Sequence, residues 1–135
     1  MFTETWTVTK TLSNRIDGCY TRLLRKAFIV SWKERKTKAL IYQNLPKITT
    51  KIKQRRMRLA GHCIRHTEEI AHHLVLWEPT EGRRNRGKPK MTYIDNLLLD
   101  ADAHNTYELR MAMLERDGWR AIVDHAGRPE TGAIK

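Results

Sequence analysis

Apolar residues at positions 12, 16, 19, 20, 23, 24 and 27 recur every three to four places, which predicts an amphipathic helix over residues 11–29. Its polar face carries Arg15, Arg22, Arg25 and Lys26, and Cys19 falls on the apolar stripe as a small core residue. Gly18 lies inside this helix and costs it about 1 kcal/mol relative to alanine. An apolar knot of Phe28, Ile29, Val30 and Trp32 marks its end. A short second helix is predicted over 37–44, capped by Thr37 and stopped by Pro46. A third starts near Thr49 or Thr50, whose hydroxyls are suited to cap it. Its apolar stripe is Ile48, Ile52, Leu59, Cys63 and Ile64; its other faces carry Lys51, Lys53, Arg55, Arg56, Arg58 and Arg65.

The apolar run 74–77 reads as a buried extended segment or a helix end. PTEGRRNRGKPK, residues 79–90, is a loop with two prolines, two glycines and five basic residues. Met91, Ile94, Leu97, Leu98 and Ala101 mark a fourth helix. Asn105 followed by Glu108 reads as a capping box for a fifth, and Leu109, Met113, Trp119, Ile122 and Val123 supply its face and that of a short final helix. Strand alternation and internal repeats are absent. The expectation is an all-α protein, a small helical bundle of about five helices with one basic Gly/Pro loop. It divides into a basic helical region over 1–78, the loop over 79–90 and a helical tail over 91–135.

Charge sharpens this picture. The 135 residues carry a net charge of +11, unevenly spread. Residues 1–90 hold 21 Lys/Arg against 7 Asp/Glu, whereas 91–135 hold 5 against 8. A basic front of this kind points to a polyanionic partner. No apolar run approaches the length of a membrane span, and the N-terminal residues lack the order of a signal peptide. Two cysteines are too few for a disulfide framework, so free thiols and an intracellular setting, nuclear or cytoplasmic, are expected.

Candidate chemistry is sparse. His62, Cys63, His66, His72 and His73 are ligand types that zinc accepts, and His62 with His66 forms an i, i+4 pair. There is no CxxC, and the residue after the first histidine is Cys63 where a two-histidine protease helix needs Glu. The expectation is therefore no metal and no cofactor, with a zinc-stabilised module centred on Cys63, His66 and His72/His73 as an alternative. Glu68 and Glu69 are adjacent and face different ways on a helix, while Asp95, Asp100 and Asp102 read as a solvated helix side. No phosphate-cradling glycine loop or nucleophile motif occurs, and a non-enzyme is expected.

Nucleic-acid binding fits better. The basic helix contributes Lys51, Lys53, Arg55, Arg56, Arg58 and Arg65, and the loop contributes Arg83, Arg84, Arg86 and Lys88. Guanidinium forks suit phosphate oxygens, so contact to the RNA or DNA backbone with little base readout is expected. Tyr42, Trp77 and Tyr93 could stack bases, although core packing is the simpler role for Trp32, Trp77 and Trp119.

The stretches ETWTVTK, LSNRIDGCYTRLLRKAFIVSWKERKTK, LPKITTKIKQRRMRLAGHCIRH, LVLWEPTEGRRNRGKPKMTYIDNLLLD and ERDGWR occur in this order. Together, from about residue 4 to residue 123, they resemble the C-terminal region of non-LTR retrotransposon polyproteins, just after the reverse transcriptase palm. The resemblance implies a thumb and following linker, helices that close over a template–primer duplex, with a polymerase palm as a second partner. Arg55-Arg56-Met57-Arg58-Leu59-Ala60-Gly61-His62 matches the family's basic helix running into Gly-His, and Trp119-Arg120 its closing Trp-Arg. Gly87-Lys88-Pro89 stands where the family has Gly-Arg-Pro; Lys88 keeps the charge but loses the fork. Lys38 also departs from an expected asparagine. The paired catalytic aspartates of the polymerase are missing, so the resemblance implies a non-catalytic fragment. The alternative is a structural remnant whose helices once packed against the palm and which binds nothing specifically. Gly61 is expected to permit close helix packing, and Phe28, Ile29, Val30 and Trp32 to form the face left exposed without a palm.

Overall fold

The computed structural model describes residues 7–78, Gly87 and 91–127. Their regular structure is entirely helical: α1 (Lys10–Ala27), a 3₁₀ turn (Trp32–Glu34), α2 (Lys38–Tyr42), α3 (Ile48–Arg65), α4 (Ile70–Leu74), α5 (Tyr93–Ala101), α6 (Thr106–Leu114) and α7 (Arg116–Ala126). The all-α bundle expected from periodicity is present. Among the described residues, seven α-helices stand where about five were expected: α4 is a single extra turn, and the fifth helix and the short final one meet, as separate elements, at Glu115. That residue, with extended ψ of 107°, ends α6 and begins α7.

Helix α3 is the axis of the fold and packs against α1, α4, α5, α6 and α7. The core joins Met57, Ala60 and Ile64 of α3 to Leu97 of α5, Leu109 and Met113 of α6, and Trp119 and Val123 of α7. Residues before and after the 79–90 stretch therefore share one core. Because partners surround α3, its buried residues do not follow one stripe. Arg56, Met57, Ala60, Gly61, Cys63 and Ile64 are buried, whereas Ile48, Ile52 and Leu59 are only half-buried.

Gly61 makes one of the close contacts possible. A Cβ there would overlap Nε1 and Cδ1 of Trp119. Without it, the indole lies against the α3 backbone and Nε1 donates to the Met57 carbonyl at 2.9 Å. This satisfies the one polar atom of a buried tryptophan.

The α1–α2–α3 corner is held by polar contacts. Thr49 and Thr50 do not cap α3; Lys47 holds the cap position and makes no side-chain cap bond. Instead Asp17 of α1 accepts from the Thr49 amide (3.2 Å) and the Thr49 hydroxyl (2.8 Å), so one helix caps the next across the fold. The Tyr42 hydroxyl donates to the Asp17 carbonyl (3.3 Å) and lies 2.9 Å from the Thr21 hydroxyl.

The other caps follow local sequence. Thr37 accepts from the Leu40 amide and Asn105 from the Glu108 amide, as expected. The Glu108 carboxylate, however, takes the His104 amide. A capping box at Thr92 and Asp95, missed from the sequence, starts α5.

Two expectations about α1 need correction. Cys19 is exposed. The buried face centres on Thr21 and Leu24, and residue 19 lies two positions from Thr21, about 200° around the helix. The end of α1 is a Schellman turn: Ile29 donates to the Lys26 carbonyl (3.1 Å) and Val30 to the Arg25 carbonyl (2.9 Å). Its left-handed position, usually glycine, holds Ile29 at φ 53°, 89% exposed. Phe28 is also exposed, whereas Val30 is half-buried. The Trp32 side chain lies outside the described ones.

Candidate nucleic-acid interface

The basic residues and histidines of α3 divide by direction. Lys51, Arg55, Arg58, His62 and His66 are exposed and stand at i, i+4, i+7, i+11 and i+15, one file along the solvent side. Arg58 shares this surface with Asp124 of α7, whose Oδ1 lies 3.6 Å from Nη2. The imidazoles of His62 and His66 meet with centroids 4.1 Å apart at the C-terminal end of α3.

Three expected contact residues point elsewhere. Arg56 is buried, with Nε 3.1 Å from Asp100 Oδ2 of α5. Lys53 is half-buried, and its Nζ lies 3.9 Å from Asp100 Oδ1. Arg65 Nη1 donates to the Met113 carbonyl at 2.7 Å, closing the end of α6. Arg56 is therefore not a surface phosphate ligand, and Lys53 and Arg65 are drawn into helix packing. Asp100, expected on a solvated helix side, stands at the centre of this arrangement. Burial pushes its carboxyl above the usual carboxylate range, while Arg56 and Lys53 pull it back. Nε and Oδ2 are close without hydrogen-bond geometry between them, and burial is the larger influence on the Asp100 carboxyl.

Arg83, Arg84, Arg86 and Lys88 lie outside the described residues. Among the aromatic candidates, Tyr42 spends its hydroxyl on α1 and its ring on Tyr20, and Tyr93 packs against the core. Trp119 is in the core as expected. Trp77 is not: it is 63% exposed, so of these rings it has the freest face.

The histidine and cysteine cluster is dispersed. Cys63 faces the interior, and burial raises its thiol above the ordinary value, with the Glu69 charge adding to the shift. His72 bonds the Ile64 carbonyl through Nδ1 (2.9 Å) and Arg110 through Nε2 (3.3 Å). A carbonyl only accepts and a guanidinium only donates, so the pattern fits the neutral Nδ1–H tautomer with both nitrogens used. Among the described residues, no three of His, Cys, Asp and Glu converge as metal ligands. No described helix is long and apolar enough to cross a membrane.

The basic face of α1 lies outside the expected contacts. Arg15, Cys19, Arg22 and Lys26 are exposed at i, i+4, i+7 and i+11. The available signal was the scarcity of acids: residues 10–38 contain nine Lys/Arg and two carboxylates. No family model, curated protein or solved structure matches this chain.

Proposed function

We propose that this chain is a non-catalytic, thumb-like module that holds RNA or DNA by its phosphate backbone, as an accessory to a polymerase palm. The observation that carries this reading is the solvent-facing file Lys51, Arg55, Arg58, His62 and His66, on a helix with no acidic residue from 48 to 65. Such a file meets successive phosphates while leaving base edges unread. The resemblance to the post-palm region of non-LTR retrotransposon polyproteins supports the same role, with the missing aspartate pair leaving catalysis to another part of the polyprotein.

The experiment is binding of the purified chain to two labelled RNA–DNA hybrids of unrelated sequence across a salt series. Equal affinity for both, falling steeply with salt, is the expected result. Lys51→Gln, Arg55→Gln and Arg58→Gln together should flatten the slope by about 0.9 for each phosphate that the variant no longer neutralises. A folded protein without affinity at low salt sinks this reading. Arg56 stays unchanged in this test because its replacement perturbs the interior.

A second reading, a structural remnant whose helices lean on a palm, draws on exposed apolar side chains. Leu23, Phe28 and Ile29 gather at the end of α1, and Tyr107, Met111 and Leu114 line one side of α6. These are the kinds of surface an absent neighbour covers. The two readings part on the salt series.

A further inference from the structure

We infer that α1 and the 3₁₀ turn behind it form a second phosphate-binding surface for the same nucleic-acid partner, with Arg15, Arg22, Lys26, Lys33 and Arg35 as its contacts. The inference rests on the nucleic-acid reading above and extends it to a region outside α3.

Three observations carry it. First, both carboxylates of residues 10–38 are engaged within the protein. Asp17 is turned inward as the cap of α3. Glu34 accepts from the Ser31 amide and pairs with Lys36 at 2.7 Å. Second, among the described residues Arg15, Arg22, Lys26, Lys33 and Arg35 make no ion pair, and all five side chains are exposed. On α3, by contrast, Lys53, Arg56 and Arg58 have carboxylates within ion-pair distance. The helix richest in arginine is thus partly neutralised by α5 and α7, and unneutralised charge concentrates on α1. Third, the turn is fastened to the helix. Arg25 Nη2 donates to the Lys36 carbonyl at 2.9 Å, which keeps the cations of the turn beside the end of α1.

The arrangement suits a phosphate backbone. Arg15 to Lys26 is three turns along one face, a rise of about 16 Å, so several phosphates of one strand come within reach of long side chains. An anionic membrane surface is the other polyanion to weigh. Along the length of α1 the apolar stripe is spent in the fold, with Leu24 buried and Leu12, Ile16 and Tyr20 half-buried, and the exposed Leu23, Phe28 and Ile29 stand only at its C-terminal end.

Cys19 provides a reporter in the stripe, since it is exposed and the other cysteine, Cys63, is buried. The test compares the full chain with an α1 variant (Arg15→Gln, Arg22→Gln, Lys26→Gln) and the α3 variant above, by anisotropy of a labelled RNA–DNA hybrid across a salt series. Circular dichroism on the same samples checks that each variant is folded. The α1 variant is expected to weaken binding about tenfold or more and to flatten the log Kd–log salt slope by about 2 to 3. A photo-crosslinker on Cys19 is expected to capture the hybrid in low salt. Unchanged affinity and slope in the α1 variant and no capture by Cys19, with binding abolished in the α3 variant, overturns this inference and leaves the proposed function standing. Absence of binding by the unaltered chain overturns both. Tighter binding to vesicles containing phosphatidylserine than to the hybrid, abolished in the α1 variant, assigns the surface to lipid and overturns the nucleic-acid assignment.

Discussion

Arg56 of α3 meets Asp100 of α5 inside the protein, Nε to Oδ2 at 3.1 Å, with only 5% and 15% of the two side chains exposed. The most central arginine of the basic run is therefore a packing element. Burial outweighs the pull of Arg56 and Lys53 and raises the Asp100 carboxyl above its ordinary range. The folded protein then holds that proton more tightly than the unfolded chain. Stability from this group rises as pH falls through the interval between its folded and ordinary values, and drops as pH rises through it. Asp100→Asn removes this increment. Urea unfolding at about pH 7 and about pH 4.5 should show the unaltered protein gaining relative to the variant at the lower pH. No relative gain by the unaltered protein at the lower pH, or a gain at the higher pH instead, reverses the assignment.

The same pair predicts non-additivity. Arg56→Met alone leaves a buried carboxylate without its guanidinium and should destabilise. Arg56→Met with Asp100→Leu removes both charges and should recover most of that loss. A double-mutant cycle by urea unfolding measures the coupling, and simple addition of the two single effects contradicts it.

Gly61→Ala places a methyl group on the Trp119 indole. Overpacking of this kind costs about 1–3 kcal/mol. Trp119→Phe relieves the overlap but loses the bond to the Met57 carbonyl, about 1 kcal/mol. In the Trp119→Phe background, Gly61→Ala should cost clearly less than it does alone. Thermal unfolding decides this, and equal costs in the two backgrounds remove Trp119 as the reason for the glycine.

Ile29 holds the left-handed position of the Schellman turn with its side chain in solvent. Ile29→Gly is expected to stabilise the protein by about 0.5–1 kcal/mol, because left-handed backbone costs a β-branched residue more than glycine loses in chain entropy. Ile29→Ala keeps the Cβ and should give little. A gain for alanine equal to that for glycine assigns the effect to the exposed side chain instead of the backbone.

The two thiols should react at very different rates. Cys19 is exposed, while Cys63 is buried and its thiol is raised by that burial and by the Glu69 charge. A thiol-reactive reagent near neutral pH should modify one group quickly in the native protein and both after denaturation. Two fast groups in the native state place Cys63 at the surface and overturn its position in the core.

The sequence by itself determined the class of fold and most of its elements. Helical spacing marked α1, α3 and α5, and Thr37 and Asn105 announced their caps through local hydrogen bonds that need no partner. Leu109, Met113, Trp119 and Val123 were legible as core, because an apolar stripe on a helix has one stable fate. Tertiary structure alone decided what the charges do. Lys51, Arg55 and Arg56 look alike in sequence, yet the first two face solvent and the third faces Asp100, forty-four residues away along the chain. Asp17 looks like an acid interrupting a basic helix, and only the approach of α3 makes it the cap of Thr49. Residue type sets a charge, whereas its neighbours across the fold decide whether that charge is spent inside or offered to a partner.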